Sequence, residues 1–281
     1  MSKKVRALIT LTRPPNAILM YIAVIAGILL SDAKSFQVEK LALALLTAYG
    51  LCGSSMGFND YFDREVDKVN APWRPIPSGA ISEKEAIGFS AALALIGGAA
   101  AAITSLECFL VAALSFLAAF TYNAVLKKTG FLGNMVVSAI VVAPFIYGAI
   151  LSDGYLSLRL ITFIVPAYFA NLGREVIKGI SDIEGDALRD VRSIARIKGE
   201  GFASRLGALL YLTAVAISPL PYILQLTSWL YLPIVAVADL GFIFEAISIL
   251  KDSSKANSLR VKNRTLGWML IALLAFIAGS F

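Results

Sequence analysis

The sequence predicts an all-α integral membrane protein of nine transmembrane helices, with its N-terminus inside the cell and its C-terminus outside. Three observations carry this. Of 281 residues, 58% are hydrophobic and only 16% charged, whereas soluble domains run at about 45–50% apolar and about 25% charged. Nine apolar stretches come close to the roughly 20 residues that cross a bilayer core. The lysines and arginines fall almost entirely into alternate connecting segments, as the positive-inside rule requires.

The stretches run, in order, over residues 16–31, 41–58, 86–104, 108–126, 135–151, 160–174, 206–224, 229–250 and 266–281. The first follows Lys3, Lys4 and Arg6 and so has the outline of a signal peptide. Its exit, Leu30-Ser31-Asp32, is a poor cleavage site, and eight further apolar segments follow, so it reads as a retained span. The breaks at Ser105-Leu106-Glu107 and at residues 225–228 are short, which predicts tight connections there.

With nine spans and the N-terminus inside, 22 of the 25 basic residues lie in cytoplasmic segments, and only Lys34, Lys40 and Arg159 fall outside. A wrong span count would scramble that split. The net charge of +6 is then a membrane signature, and no nucleic-acid partner is expected. Two of the cytoplasmic segments, residues 59–85 and 174–205, are long and polar. Asp63 and Asp67 recur 119 residues later as Asp182 and Asp186. The expected organisation is a single domain over residues 1–281, with two similar four-helix halves (about 1–128 and 129–250) and a ninth helix at 264–281.

Composition also excludes chemistry. There is no histidine, which removes Ser-His-Asp catalysis, His-ligated zinc and His-ligated haem. Cys52 and Cys108 both sit in apolar runs, where they read as small buried hydrophobes rather than a disulfide framework.

The first polar segment opens Asn59-Asp60-Tyr61-Phe62-Asp63-Arg64-Glu65-Val66-Asp67. If span two continues as helix, Asn59, Asp63 and Asp67 step by four along one face, and Asp60 joins that face three residues before Asp63. Like charges at this spacing repel, so the bland reading, an acidic helix end in solvent, needs a compensating cation. Clustered oxygen donors at the end of a membrane helix suit Mg²⁺, which takes carboxylates, waters and substrate phosphates. The second polar segment supplies Asp182-Ile183-Glu184-Gly185-Asp186, another i, i+4 carboxylate pair at the matching position. Alone a DxxxD pair is weak evidence. As the second of two on one membrane side, flanked by Arg64, Arg74, Lys127, Arg174 and Lys178, it describes a diphosphate site. Lys128, Lys251, Lys255 and Lys262 read as positive-inside anchors.

Ala71-Pro72-Trp73-Arg74-Pro75-Ile76-Pro77-Ser78-Gly79 cannot continue a helix, because three prolines and a glycine fix a turn-rich backbone. It reads either as a linker or as an ordered lid over a phosphate site. Asp239 and Glu245 lie within span eight, where a carboxylate is costly. Glu245 is expected to be solvated at the interface, and Asp239 to pair with a basic group or stay protonated.

With both acidic motifs in place, the chain resembles the UbiA superfamily of membrane prenyltransferases, which carry NDxxDxxxD after helix two and DxxxD after helix six on nine helices. The match runs from Thr12-Arg13-Pro14-Pro15-Asn16 to the last span. Asp67 to Gly79, Tyr122-Asn123-Ala124-Val125-Leu126-Lys127-Lys128 and Arg174-Glu175-Val176-Ile177-Lys178 most resemble the archaeal ether-lipid branch. The resemblance implies a geranylgeranyl diphosphate donor and, as lipid acceptor, the free hydroxyl of geranylgeranylglyceryl phosphate. It implies Mg²⁺ on Asn59, Asp63, Asp67, Asp182 and Asp186, with Asp60 close by and these aspartates in the catalytic set. Arg64, Arg74, Lys127, Arg174 and Lys178 would hold diphosphate, and Asn16 and Tyr122 would line the pocket. The chain departs from the family in Lys178-Gly179-Ile180-Ser181-Asp182, where Lys-Asp-Ile-Glu-Asp is common, and in Ser193-Ile194-Ala195 for Thr-Leu-Pro. Both departures leave the DxxxD pair intact. The runner-up is an aromatic-acceptor prenyltransferase of the quinone or haem type. A transporter fits less well, because its ionisable groups belong near the bilayer midplane rather than at helix ends.

Overall fold

The computed structural model describes residues 2–31, 38–153 and 155–281. Asp32 and Lys34, which entered the reading of the first span and its outer loop, lie outside the described residues. Among the described residues the regular structure is entirely helical: α1 (Lys3–Thr12), α2 (Pro14–Leu29), α3 (Glu39–Asn70), α4 (Glu83–Thr104), α5 (Leu106–Ala124), a 3-10 turn (Leu126–Thr129), α6 (Phe131–Asp153), α7 (Leu158–Ser181), α8 (Ile183–Leu188), α9 (Ile194–Lys198), α10 (Glu200–Ile217), α11 (Leu220–Ile223), α12 (Tyr231–Lys251) and α13 (Lys255–Gly279). Nine helical segments among them are long and apolar enough to cross a membrane, one for each stretch expected from the sequence.

The helices outrun the apolar stretches, and this is what carries the acidic motifs. Span two was expected to end at Phe58, yet α3 continues twelve residues further, to Asn70. Nothing between Phe58 and Asn70 breaks a helix. Pro72 does, and it pushes the preceding Ala71 out of the helical region (φ −147°, ψ 58°). Span six likewise runs on to Ser181. The two polar segments are therefore partly helix and shorter as loops than expected.

At the N-terminus Ser2 caps α1, its hydroxyl accepting from the Val5 N–H. The helix then breaks at Arg13, which adopts a left-handed conformation (φ 47°), and Pro14 opens α2. Ser82 and Glu85 form a reciprocal capping box that starts α4. Ser105 alone separates α4 from α5, and its hydroxyl caps the second helix. Pro219 and Pro221 end α10 near Ile217, several residues before the expected boundary at Leu224.

The chain forms two compact units. The first comprises Met1–Ile28, Ala33–Val125 and Ala143–Tyr155. Its core gathers Val24, Ala44, Ala101, Cys108, Ala112, Tyr147 and Leu151, with a smaller cluster of Ala7, Leu11, Ile81 and Ala86 where α1 packs. Cys52 and Cys108 are both free and buried, as their apolar setting predicts. Here α2 and the second half of α6 meet backbone to backbone: a Cβ on Gly148 would stand 2.0 Å from the Val24 carbonyl oxygen, and one on Gly27 2.2 Å from that of Phe145.

The second unit comprises Leu29–Asp32, Leu126–Val142 and Leu156–Phe281. Its core joins α7, α10, α12 and α13 through Val176, Ile177, Ile180, Ala203, Tyr211, Phe242, Ile249 and Val261. Glu245 corrects the sequence expectation. It is fully buried, not solvated. Arg264 of α13 holds it with two nitrogens, Nε 2.9 Å from Oε1 and Nη2 3.0 Å from Oε2, and the Trp268 indole donates to Oε1 at 3.2 Å. A charge can be buried when a planar guanidinium meets it this way. Asp239 has a hydroxyl partner: Ser218 Oγ donates to its Oδ2 at 2.6 Å.

Candidate active site

In the first unit the site is built on the polar end of α3. The continuous helix sets Asn59, Asp63 and Asp67 at four-residue intervals, with Asp60 beside them. Asp60 and Asp67 are almost wholly buried, at 2% and 1% exposure. Each is met by arginine. Arg13 Nη2 lies 2.5 Å from Asp60 Oδ1, and Arg74 Nη1 lies 2.5 Å from Asp67 Oδ2 and 3.4 Å from Asp60 Oδ1. The left-handed break at Arg13 and the proline-rich turn around Arg74 are thus pinned to the same stretch of α3. That turn is ordered: the Ser78 N–H donates to the Arg74 carbonyl, and Gly79 takes a positive φ of 71°.

Asn59 faces α5. Its Nδ2 donates to Asn123 Oδ1 at 3.0 Å, and Asn123 Nδ2 donates to the Ser55 carbonyl at 3.4 Å. Tyr122 precedes Asn123 and is half-buried, as is Asp63. Interleaved with the acidic residues on α3, Phe58 and Phe62 pack edge-on against Phe120 at 5.2 and 5.6 Å. These rings make an apolar wall beside the oxygen donors. Arg64 lies over the Tyr61 ring at 4.5 Å and places Nε 3.2 Å from Glu83 Oε2. Asn16 lies at the start of α2, where its Nδ2 approaches Met56 Sδ at 3.6 Å.

In the second unit, α7 carries Arg174, Glu175 and Lys178, and Asp182 caps its C-terminal end. The Asp186 N–H donates to the Asp182 carbonyl at 2.7 Å, so the DxxxD pair spans one turn at the start of α8. Burial pushes the Asp186 carboxyl up, and the neighbouring Asp182 charge adds to this. A cation between them would reverse both effects. Buried Glu175 gathers two of the expected phosphate ligands: Arg174 Nη1 is 2.9 Å from its Oε1 and Lys178 Nζ 3.0 Å from its Oε2. Lys262 of α13 reaches the same place. Its Nζ is 3.7 Å from Asp182 Oδ1 and donates to Ser181 Oγ at 3.3 Å, while its carbonyl accepts from Arg174 Nε. The membrane-anchor reading of Lys262 is therefore incomplete. Lys127 lies in the 3-10 turn. The next turn is held when the Arg192 N–H donates to the Lys128 carbonyl, and Gly130 (φ 68°) leaves no room for a Cβ beneath Arg192.

Among the described residues no three acidic side chains draw together into a ready-made cation cage. Mg²⁺ does not require one, since it is held by one or two carboxylates with waters and substrate phosphates. The donors in each unit fit it: hard oxygens only, an amide and a carboxylate from Asn59 and Asp63, two carboxylates from Asp182 and Asp186. Sequence reasoning did not assign Arg13, Asn123, Glu175 or Lys262 to the site. Arg13 carried a signal, because the residue directly before a proline is pushed out of the helical region and so marks a helix break. Asn123 and Lys262 are ordinary helix residues whose partners are far away in sequence, and Glu175 is one whose partners are neighbours on its own helix.

A model described as the UbiA prenyltransferase family matches residues 20–278. Digeranylgeranylglyceryl phosphate synthase of Archaeoglobus fulgidus is 36% identical over 285 residues, covering 100% of this chain and 97% of that protein. The protein of the same name from Methanopyrus kandleri is 33% identical, covering 97% of this chain and 98% of its own length. A solved structure described for digeranylgeranylglyceryl phosphate synthase in membranes has a TM-score of 0.85 at 30% identity, with 99% of both chains covered. A UbiA homolog from Archaeoglobus fulgidus bound to GPP and Mg²⁺ shares the fold, with a TM-score of 0.71 at 17% identity over 98% of this chain and 99% of that one.

Proposed function

The chain belongs to the UbiA prenyltransferase family, and we propose that it moves a geranylgeranyl group from its diphosphate to the free hydroxyl of geranylgeranylglyceryl phosphate. The observation that carries this is the end-to-end similarity to archaeal synthases of that activity, at 36% identity over 285 residues. Oxygen-donor sets on α3 and on α7–α8 supply the matching chemistry.

The proposed Mg²⁺ donors are Asn59 and Asp63 in the first unit and Asp182 and Asp186 in the second. Bound Mg²⁺ would neutralise the diphosphate and so make it a competent leaving group. Asp67, read from the sequence as a further ligand, is engaged by Arg74. We assign it and Asp60 to holding Arg74 and Arg13. Arg64, Arg174, Lys127 and Lys178 are the proposed diphosphate ligands. Glu175 pairs with Arg174 and Lys178 and holds the two side chains side by side. As the donor C1–O bond breaks, the electron pair leaves with diphosphate. The apolar wall of Phe58, Phe62 and Phe120 excludes water from the allylic cation. The acceptor oxygen bonds to C1 and gives its proton to a carboxylate or to the released diphosphate, the bases available in a chain without histidine. We further propose that both acidic helix ends lie on the cytoplasmic side, because the basic residues concentrate in the segments that contain them. The 119-residue recurrence of the aspartate pairs supports two related halves.

The test is purified protein in detergent with geranylgeranyl diphosphate and Mg²⁺, offered geranylgeranylglyceryl phosphate and 4-hydroxybenzoate in parallel, with products identified by mass. An ether-lipid product that vanishes with EDTA is expected. Prenylated benzoate alone would move the protein to the aromatic-acceptor branch. Neither product from folded protein would overturn the substrate assignment.

A further inference from the structure

We infer that Asn123 is a positioning residue that turns the Asn59 amide so that its oxygen, not its nitrogen, is presented to the cation. The inference rests on the Mg²⁺ reading of Asn59 and Asp63.

A neutral side-chain amide can bind a hard cation only through oxygen, yet its two ends are nearly the same shape. Something must choose between them. The choice is made by a chain of hydrogen bonds whose direction is forced. The Ser55 carbonyl has no proton to give, so the group 3.4 Å from it must be the Nδ2 of Asn123. That leaves Asn123 Oδ1 directed at Asn59. An oxygen can be met there only by an N–H, so Asn59 offers Nδ2, at 3.0 Å. The remaining end of the Asn59 amide is Oδ1, on the helix that carries Asp63 one turn further on. Flipping either amide sets oxygen against oxygen or N–H against N–H. The end of the relay is a backbone carbonyl of α3 itself, so the orientation is tied to the helix that bears the ligand. Partners that orient a ligand from behind are commonly worth about 10–100-fold in metal affinity.

The consequence separates orientation from packing. Asn123→Leu removes the acceptor and frees Asn59 to rotate. A carboxylate in place of Asn59 has two equivalent oxygens and needs no orienting partner. The cost of losing Asn123 should therefore disappear in an Asn59→Asp background, a coupling that a packing role does not produce.

The experiment titrates Mn²⁺ into the full-length chain in detergent and reads free Mn²⁺ by EPR, without substrate. The parent carries Asp182→Asn and Asp186→Asn, so that only the first unit's donors are titrated. Asn123→Leu is expected to weaken Mn²⁺ binding about 10–100-fold, and Asn59→Asp with Asn123→Leu to match Asn59→Asp alone. A thermal melt of each variant without metal reports folding. Equal Mn²⁺ affinity in the parent and in a folded Asn123→Leu protein would overturn the inference alone. So would the same loss in both Asn59 and Asn59→Asp backgrounds. A parent that binds no Mn²⁺, or binds it unchanged after Asn59→Ala and Asp63→Ala, would overturn the metal reading and this inference with it.

Discussion

Arg74 reaches back seven residues to put Nη1 2.5 Å from the Asp67 carboxylate, which is itself only 1% exposed. One residue of the proline-rich turn is thereby locked to the last turns of α3, and the turn acts as a strap on the acidic helix end. Removing one partner of a buried pair leaves an uncompensated charge and costs about 3–5 kcal/mol. Arg74→Met is therefore expected to destabilise the protein by roughly that amount and to open residues 71–82 to protease. Asp67→Asn combined with Arg74→Met should recover much of the loss. Thermal unfolding in detergent with limited proteolysis checks both, and a single variant as stable as the double would refute the strap.

Glu245 and Arg264 make a second pair, a fully buried carboxylate in the other unit met by a guanidinium that is itself 43% exposed. Arg264→Met is expected to cost about 3–5 kcal/mol, because it strands the fully buried carboxylate. Glu245→Gln should be milder, since an amide can still accept from Trp268. The double replacement of Glu245 and Arg264 by Met should be near neutral. Melting temperatures of the four proteins decide this, and equal losses from all three variants would show that the pair is not the stabilising unit.

Gly148 predicts a clash that nothing can relieve cheaply. A Cβ there would lie 2.0 Å from the Val24 carbonyl oxygen, a backbone atom. Gly148→Ala should force α2 and the second half of α6 apart and cost about 1–3 kcal/mol. Gly88, whose added Cβ would meet nothing within 4 Å, is the control. Gly88→Ala should leave the melt unchanged or slightly raised.

Metal removal tests the oxygen donors directly. EDTA should abolish turnover, and excess Mg²⁺ should restore it. Asp63→Ala and Asp186→Ala are each expected to lower kcat by about 10²–10³, the scale of losing one preorganised electrostatic contact at a departing anion. Raising Mg²⁺ tenfold should not rescue them fully. Activity within threefold of wild type in either variant would remove that residue from the metal set.

Several features were legible because they are local. Hydropathy over about 20 residues marks a span wherever the chain goes next. A four-residue step marks a helix face as long as no proline intervenes, and α3 follows that rule from Glu39 to its end before Pro72. The first span was read less well, because the helix at Lys3–Thr12 is too polar to register as apolar and is separated from α2 by the break at Arg13. Glu245 was misjudged because its position near a span end suggested water, while its guanidinium partner stands nineteen residues further along the chain.

The sequence alone determined the membrane class, the number of spans, the two acidic motifs and the family they signal, since each depends on composition or short-range spacing. Tertiary structure decided which partner each acid meets. Asp60 is paired with Arg13 across 47 residues and Asp182 with Lys262 across 80. The amide of Asn59 donates to Asn123 across 64. A carboxylate held by arginine and one offered to a cation are the same letters in a motif. They differ only in which charged or polar group the fold brings within about 3 Å, the range at which a hydrogen bond or ion pair chooses its partner.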